Sequence, residues 1–458
     1  MGKRTTLMCM LLAIAATGCN RPAEPAASTA ADAGQGAAAP AAQRAYSDQD
    51  ISDAYLYLLG RLLVLRQQQL DFGEGFRWNE FVHRKPGKVD WPNPNLDVAY
   101  SEAWVALSED SCTLLTVPAI SGRYYTVQFL NGWGETLANI NERTQVQHPH
   151  GRFAMCLKGA QVELPADALR IDLPDRHVRV LARVELGKDR DGAEKLQHQF
   201  ALAATGTPPV PEIPKTPLFD IEQLPGVEAF EAGPLALDSD ADINPGMEKL
   251  QADVRAIAEA IRDPAERSRV DQVIRDKAFA DMARASPVIG HGTVGNHWVR
   301  AATAGTYGDD WLTRTLINYG GIWANTFDEV IYYKGNLDGT GTQLNSDHVY
   351  TLTFPKDALP AVYANYFWSV IAVDTRHFRV LPDNPTGRYL LNKESDLRYN
   401  ADGSLTLFFA AEKPTDAHEG NWLPTPRGHD YRLTFRFYGP RGAVADGSYF
   451  PPPIIRRS

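Results

Sequence analysis

The hydrophobic period changes three times along the chain. Ile51, Ala54, Tyr55, Leu58, Leu59, Leu62 and Leu65 recur at the spacing of one helical face. Ser47, with Asp50 three places on, supplies a capping box, so the pattern predicts a helix over 47–70. From Trp91 to about Gly187 it breaks into short runs, AYSEAWVAL, CTLLTVP, GRYYTVQFLN, GRFAMCLKG, ALRIDLP and HVRVLARVEL, divided by Gly, Pro, Asp and Asn. Such runs read as antiparallel strands of a sandwich or barrel. Residues 205–245, rich in proline, glycine and acidic side chains, read as an irregular connection. Met247, Leu250, Val254, Ile257 and Ile261 then restore the helical period. Asp263-Pro264 closes that helix and caps another carrying Val270, Val273, Ile274, Phe279 and Met282.

Strand patterns return in EVIYYKGNL, HVYTLTF, YFWSVIAVD, SLTLFFAAE and YRLTFRFYG, preceded by a helix in GDDWLTRTLINYGGIWAN. YTLTF and RLTFRFY alternate polar with apolar side chains, as a half-buried sheet requires. The fold expected is mainly β with helices: a first β-sandwich domain with its leading helix over 47–235, a helical connector over 236–286, and a second β-sandwich over 287–458.

The first residues change the setting. Lys3 and Arg4 followed by the apolar run Leu7 to Ala16 form an export signal over 1–18, too short for a permanent membrane span. Cys19 directly after Ala16-Thr17-Gly18 resembles the lipobox at which bacterial lipoproteins are cleaved and lipidated. Cys19 would then be the mature N-terminus and the membrane partner would be reached through its lipid; plain secretion is the alternative. Asn20 rather than aspartate points to the outer membrane of a bacterial cell envelope, facing the periplasm. Residues 19–46, rich in alanine and proline, bury too little to fold and read as a disordered tether.

Loss of Lys3 and Arg4 takes the formal net charge from -10 to -12, and no basic patch offsets it. Nucleic acid is therefore not an expected partner. With Cys9 lost and Cys19 lipidated, Cys112 and Cys156 remain in an oxidising compartment, and both lie in strand-like runs, so a disulfide between them is predicted over two buried free thiols.

No dinucleotide, phosphate-loop, nucleophile-elbow or zincin motif occurs, so no cofactor is expected. His148 with His150, and His291 with His297, have no carboxylate at ligand spacing, and no metal is assigned. Ser286 near His291 in a glycine-rich loop is weak support for a nucleophile pair.

Polar side chains tied to aromatic ones stand out instead: Asn93, Asn95, Asp97 and Tyr100, then Arg123, Tyr124, Tyr125 and Gln128, then Asn139, Asn141 and Arg143. Asparagine and aspartate before a strand cap turns through their side chains. A carboxylate among amides and phenols with an arginine nearby also suits a hydroxyl-rich or carboxylate ligand. Both readings stay open, with Asn95, Asp97, Tyr100, Arg123, Tyr124 and Arg143 as the ligand-binding candidates.

At these residues the chain resembles a two-domain bacterial family of unknown function. WNEFVHRKPGKVDWPNPNLDVAYSEAWVALSED and GRYYTVQFLNGWGETLANINERT are similar to domain of unknown function 1254, with Asn95, Asp97, Tyr100, Ser101, Trp104, Gly122, Arg123, Tyr124, Tyr125, Asn139 and Arg143 on its pattern. Leu96 with Pro94 departs from the tighter Pro-Asn-Asn-Asp run of that family. The segment from HWVRAATAGTYGDDW to DGSYFPPP is similar to domain of unknown function 1214. The resemblance implies two jelly-roll-like sandwiches joined by helices and no established reaction. Three functions stay open: first a membrane-anchored envelope lipoprotein binding a small polar or glycan-like ligand or an envelope protein, then a hydrolase using Asp97 as acid or base with Tyr100 and Arg123 or Arg143, and third a purely structural role in the envelope.

Overall fold

The structure is a computed structural model, and it describes residues 46–87, 92–382, 384 and 386–457. The export signal, the lipidation residue Cys19 and the tether up to residue 45 lie outside the described residues. Tyr46, assigned to the tether, is buried, and its hydroxyl donates to Glu266 at 3.1 Å. Tyr46–Ser458 cluster as one compact unit.

Helix α1 (Asp48–Glu74) begins at Ser47 with the capping box in place, Ser47 accepting from the Asp50 amide and Asp50 from the Ser47 amide. It outruns the periodic pattern by four residues and ends at Gly75, whose φ of 116° a side chain would resist. Helices α2 (Glu248–Ala260), α3 (Pro264–Val273), α4 (Phe279–Ala285) and α5 (Trp311–Gly320) follow. Asp263 caps α3 by accepting from the Ala265 and Glu266 amides, with Pro264 in its first turn. Leu58, Leu62, Val254, Ile257, Val270, Ile274 and Leu316 share one apolar core, so α1 packs on the connector helices and α5. Its last turn reaches the sheets, where Asp71 accepts from Trp104 Nε1 at 2.8 Å and pairs with Arg179 at 3.2 Å. Residues 205–245 are less irregular than their composition suggests, for Glu228–Glu231 and Gly233–Ser239 are short helices.

The first half contributes β1 (Val82–His83), β2 (Val98–Ala106), β3 (Thr113–Val117), β4 (Tyr125–Leu130), β5 (Thr136–Ile140), β6 (Gly151–Leu157), β7 (Ala168–Leu173), β8 (His177–Glu185) and β9 (Ala201–Ala204). They form two sheets, ordered β1-β2-β8-β4-β5 and β7-β6-β3-β9. Ala99, Val105, Val127 and Val180 of one meet Leu115, Phe153 and Met155 of the other, closing a sandwich. Cys112 and Cys156 form a disulfide with Cα atoms 4.5 Å apart.

The second half contributes β10 (Thr293–Gly295), β11 (Trp298–Arg300), β12 (Val330–Gly335), β13 (Tyr350–Phe354), β14 (Ala364–Asp374), β15 (Leu390–Asn392), β16 (Leu405–Ala410), β17 (Trp422–Pro424), β18 (Tyr431–Pro440) and β19 (Ile455–Arg456). Its sheets run β10-β11-β12-β18-β14-β15 and β17-β16-β13-β19, and Ile331, Val370, Phe435 and Phe437 pack against Leu352, Leu407 and Phe409 between them. The molecule is thus mainly β with helices, as expected. Two pairs, β6 with β7 and β16 with β17, are parallel rather than antiparallel.

The alternation does not mean one solvated face. All nine residues of β2 are buried, and so are eight of nine in β8 and eight of ten in β18. The large sheets of the two halves meet on their second faces, where Tyr100, Trp104, Tyr124 and Leu181 pack with Trp323, Val330, Phe367 and Tyr438. Polar positions of these strands therefore point into a seam between sandwiches, not into water.

Candidate functional site

Most of the polar side chains marked in the sequence fasten this seam. Glu329, fully buried, accepts from Tyr124 Oη at 2.8 Å, Asn141 Nδ2 at 2.8 Å and Arg143 Nη2 at 2.5 Å. Arg143 also donates to Tyr366 Oη at 2.8 Å. Asn139 Nδ2 donates to Asn325 Oδ1 at 2.9 Å, and Asn95 Nδ2 to Tyr438 Oη at 2.5 Å. Arg123 stands apart, donating to the Glu185 carbonyl and pairing with the exposed Asp189 at 3.1 Å.

Asp97 sits on a turn that Asn95 closes, its amide donating to Asn95 Oδ1 at 2.8 Å. Its carboxylate accepts from Asn392 Nδ2 of the second half at 2.7 Å, and its other oxygen has no hydrogen-bond partner of normal geometry. Burial pushes this carboxyl above the usual aspartate range, against the pull of Ser369, Asn392 and Arg436. Asp97 and Tyr100 line different cavities. The cavity at Asp97 is walled by Glu185, Arg190, Arg388, Asn392 and Lys393, a mixed-charge cleft. Tyr100 belongs to a second and more apolar one.

That second cavity, a partly open chamber, lies in the seam. Leu316, Ile317, Ile322, Trp323, Phe327 and Phe378, from α5 and the segments beyond it, give it an apolar wall. Facing residues of the two large sheets supply Tyr100 and Arg183 from one side, and Tyr332, Lys334, Arg432, Arg436 and Tyr438 from the other. Asn93 and Asn95 complete it. Four cations line the chamber, and among the described residues no aspartate or glutamate does.

Each cation is held in place. Arg183 donates to Gln128 Oε1 at 2.7 Å and the Trp323 carbonyl at 3.1 Å, and its guanidinium lies 5.6 Å from the Tyr100 ring centre. Arg436 Nη2 donates to the carbonyls of Asn93 at 2.7 Å and Pro94 at 3.0 Å, while its Nε and Nη1 stay unbonded in a residue 1% exposed. Arg432 stacks on Phe378 at 3.7 Å, and burial lowers its guanidinium to about 9. Lys334 Nζ donates to Asn93 Oδ1 at 2.7 Å and Thr434 Oγ1 at 3.0 Å. Burial, then the charges of Arg432 and Arg436, hold that ammonium well below the ordinary lysine range. Burial raises the Tyr100 phenol to about 12, so it stays a neutral donor at physiological pH.

The stretch from Pro92 to Tyr100 thus works as a clamp. Asn93 takes a φ of 51°, tolerable for asparagine, and from there its side chain bonds Lys334, Thr434 and the Gly320 carbonyl while its amide donates to the Phe378 carbonyl. Turn formation and a wall of the chamber come from the same residues.

Lys334, Arg432, Arg436 and Arg183 were not among the sequence candidates. Alternation such as that of RLTFRFY reads as a half-buried sheet, which does not separate a solvated row from a buried polar one. The legible signal was the row Arg432, Thr434, Arg436 with no acidic residue in that strand. The histidines do not converge: His291 Nδ1 pairs with Asp310 at 2.9 Å, Ser286 donates to the Met282 carbonyl at 2.7 Å, and His148 contacts the Arg152 carbonyl at 3.2 Å. Among the described residues no three His, Cys, Asp or Glu side chains are grouped to hold a metal.

Comparison with known proteins follows this division. A family model described as "Protein of unknown function (DUF1254)" matches residues 78–204, and one described as "Protein of unknown function (DUF1214)" matches 329–442. The chain is similar to the crystal structure of the VPA0106 protein from Vibrio parahaemolyticus, with a TM-score of 0.61 and 19% identity over 90% of this chain and all of that one, a likeness of fold. A putative uncharacterized protein from Burkholderia cenocepacia aligns over 88% of this chain and 86% of its own at 16% identity, with a TM-score of 0.43. No curated protein matches.

Proposed function

For a chain that belongs to the two-domain family of unknown function pairing DUF1254 with DUF1214, we propose that the seam chamber binds a small organic anion with an apolar body. The observation that carries this reading is a lining that, among the described residues, holds Arg183, Lys334, Arg432 and Arg436 but no carboxylate, opposite a wall of leucine, isoleucine, tryptophan and phenylalanine. Asp97 and Asp374 act on Arg436 and Arg432 from outside the lining; inside it, an anionic guest would offset the cost of the buried cations. Nε and Nη1 of Arg436, on opposite edges of the guanidinium, are each left as a single donor without an acceptor. This narrows the small polar ligand expected from sequence to an amphipathic acid.

The site would be carried by an envelope lipoprotein, anchored through Cys19 to the outer membrane and facing the periplasm. The Cys112–Cys156 disulfide supports an oxidising compartment. For the hydrolase alternative, Asp97 lacks Tyr100 in its own cavity, and Arg143 is committed to Glu329.

Calorimetry with hydrocinnamate, its uncharged amide and phenethylamine tests the binding reading. The acid should bind, the amide should bind about 10–100-fold more weakly, and the amine should not bind, since one charged hydrogen-bonded contact is worth about 1.5–3 kcal/mol. Arg436→Met should weaken the acid selectively. Equal binding of acid and amine, or no binding of either, overturns the proposal.

A further inference from the structure

Among the lining cations Lys334 differs in kind, because its charge can be given up. The ladder register sets Lys334 opposite Thr434, with Arg432 and Arg436 two residues to either side on the same face of β18. Thr434 Oγ1 donates its own proton to Asn93 Oδ1 at 2.7 Å, so toward Lys334 it offers only lone pairs. Nζ thus has two acceptors, Asn93 Oδ1 and Thr434 Oγ1. An ammonium has three donors to place, whereas a neutral amine has two and a lone pair. Two acceptors, two neighbouring guanidinium groups and no carboxylate among the described lining residues fit the neutral form. Burial and the charges of Arg432 and Arg436, which hold the Lys334 ammonium well below the ordinary lysine range, agree with that geometry. Lys334 lines the chamber, with its amine end buried there and part of the residue exposed.

We propose that Lys334 is a nucleophilic amine that forms an imine with the carbonyl carbon of a 2-oxo acid whose carboxylate is held by Arg436 and Arg432. The proposal rests on the anion-binding reading of the same chamber and adds the reactive group of the guest. A lysine desolvated beside other cations is a recognised way to prepare such a nucleophile. The nitrogen lone pair forms the C–N bond as the carbonyl π pair moves onto oxygen. One N–H proton passes to that oxygen, giving a carbinolamine. The remaining nitrogen lone pair then forms C=N as the C–O bond breaks, and the oxygen leaves as water with the second N–H proton. No oxidant or reductant is consumed, and hydrolysis reverses the step.

Phenylpyruvate is the probe, with hydrocinnamate as its carbonyl-free control. Full-length protein incubated with phenylpyruvate and then borohydride should gain the mass of one acid less one oxygen atom, and peptide mapping should place the gain on Lys334. Lys334→Met and Lys334→Arg should lose that adduct, the arginine variant while retaining a folded, cooperative thermal transition. If hydrocinnamate binds and phenylpyruvate leaves no adduct on Lys334, the imine proposal fails and the anion site stands. If neither acid binds, the chamber reading fails with it. Labelling spread over surface lysines and unchanged in both variants also overturns the assignment.

Discussion

Glu329 is the residue on which docking of the two sandwiches should depend most. Its carboxylate is fully buried and belongs to the second half, while its donors Tyr124, Asn141 and Arg143 belong to the first. Glu329→Gln leaves one acceptor oxygen in place of two. With that oxygen kept toward Tyr124 and Arg143, the new amide NH2 opposes Asn141 Nδ2, and a hydrogen bond worth about 1 kcal/mol is lost. The reverse orientation loses two. In both cases the Arg143 bond loses its charge assistance, about 1–2 kcal/mol more, so the substitution should cost about 2–3 kcal/mol. Glu329→Ala strips all three donors of their acceptor and leaves a guanidinium 24% exposed with only Tyr366 Oη and two ring faces for company, which should cost about 4–5 kcal/mol. Urea unfolding followed by tryptophan fluorescence reads both, because Trp104 and Trp323 lie in the seam. The expected result is a lower midpoint at unchanged slope. A loss under about 0.5 kcal/mol for the glutamine variant, or an alanine variant no worse than it, would refute the reasoning.

Three further outcomes follow from single sites. Burial, with Asp240 nearby, raises the Asp175 carboxyl from 3.8 to about 7, and one of its oxygens has no partner. The folded state therefore binds the proton that the unfolded chain releases, and stability should fall as pH rises from about 4 to about 7 and level off above it, by at most roughly 4 kcal/mol. Asp175→Asn should flatten that slope in denaturant titrations across the range; an unchanged slope counts against the assignment. Replacing Cys112 and Cys156 by alanine opens a loop of sequence separation 44, which chain entropy values at about 4 kcal/mol, so a thermal midpoint equal to that of the native protein would contradict it. A Cβ at Gly420 would overlap the Asp396 and Ser395 carbonyl oxygens, so Gly420→Ala should cost at least about 2 kcal/mol by urea unfolding, whereas Gly428→Ala, which meets no neighbouring atoms but has a φ of 88°, should pay only backbone strain of about 1 kcal/mol.

Elements with local causes were legible from the sequence. The Ser47 capping box, the Asp263-Pro264 junction and the apolar stripe through Val254 and Ile257 each act within a few residues, and each appears where the pattern puts it. The Cys112–Cys156 bridge followed from counting in an oxidising compartment. The partner of α1 was not legible, because a helical stripe says that a face is covered and not by what. Its cover comes from residues some two hundred positions away, Val254, Ile257 and Ile274 among them.

The chamber exposes the same limit in strands. A period of two states that one set of side chains differs from the other; it does not state that the polar set meets water. In β18, Leu433, Phe435 and Phe437 fill a sandwich core, whereas Arg432, Thr434, Arg436 and Tyr438 meet the other sandwich. Thr434 and Arg436 are no more exposed than their apolar neighbours. What separates such a row from a solvated face is charge balance: a surface strand tolerates mixed signs, while Arg432, Arg436, Lys334 and Arg183 meet inside with one sign only. The stretch from Pro92 to Tyr100 stands out for another reason, its crowd of asparagine, aspartate and tyrosine, and its residues reach both cavities. Asp97 sits on the turn that Asn95 closes and accepts from Asn392, while Asn93, two residues before the segment's named candidates, orients the lysine.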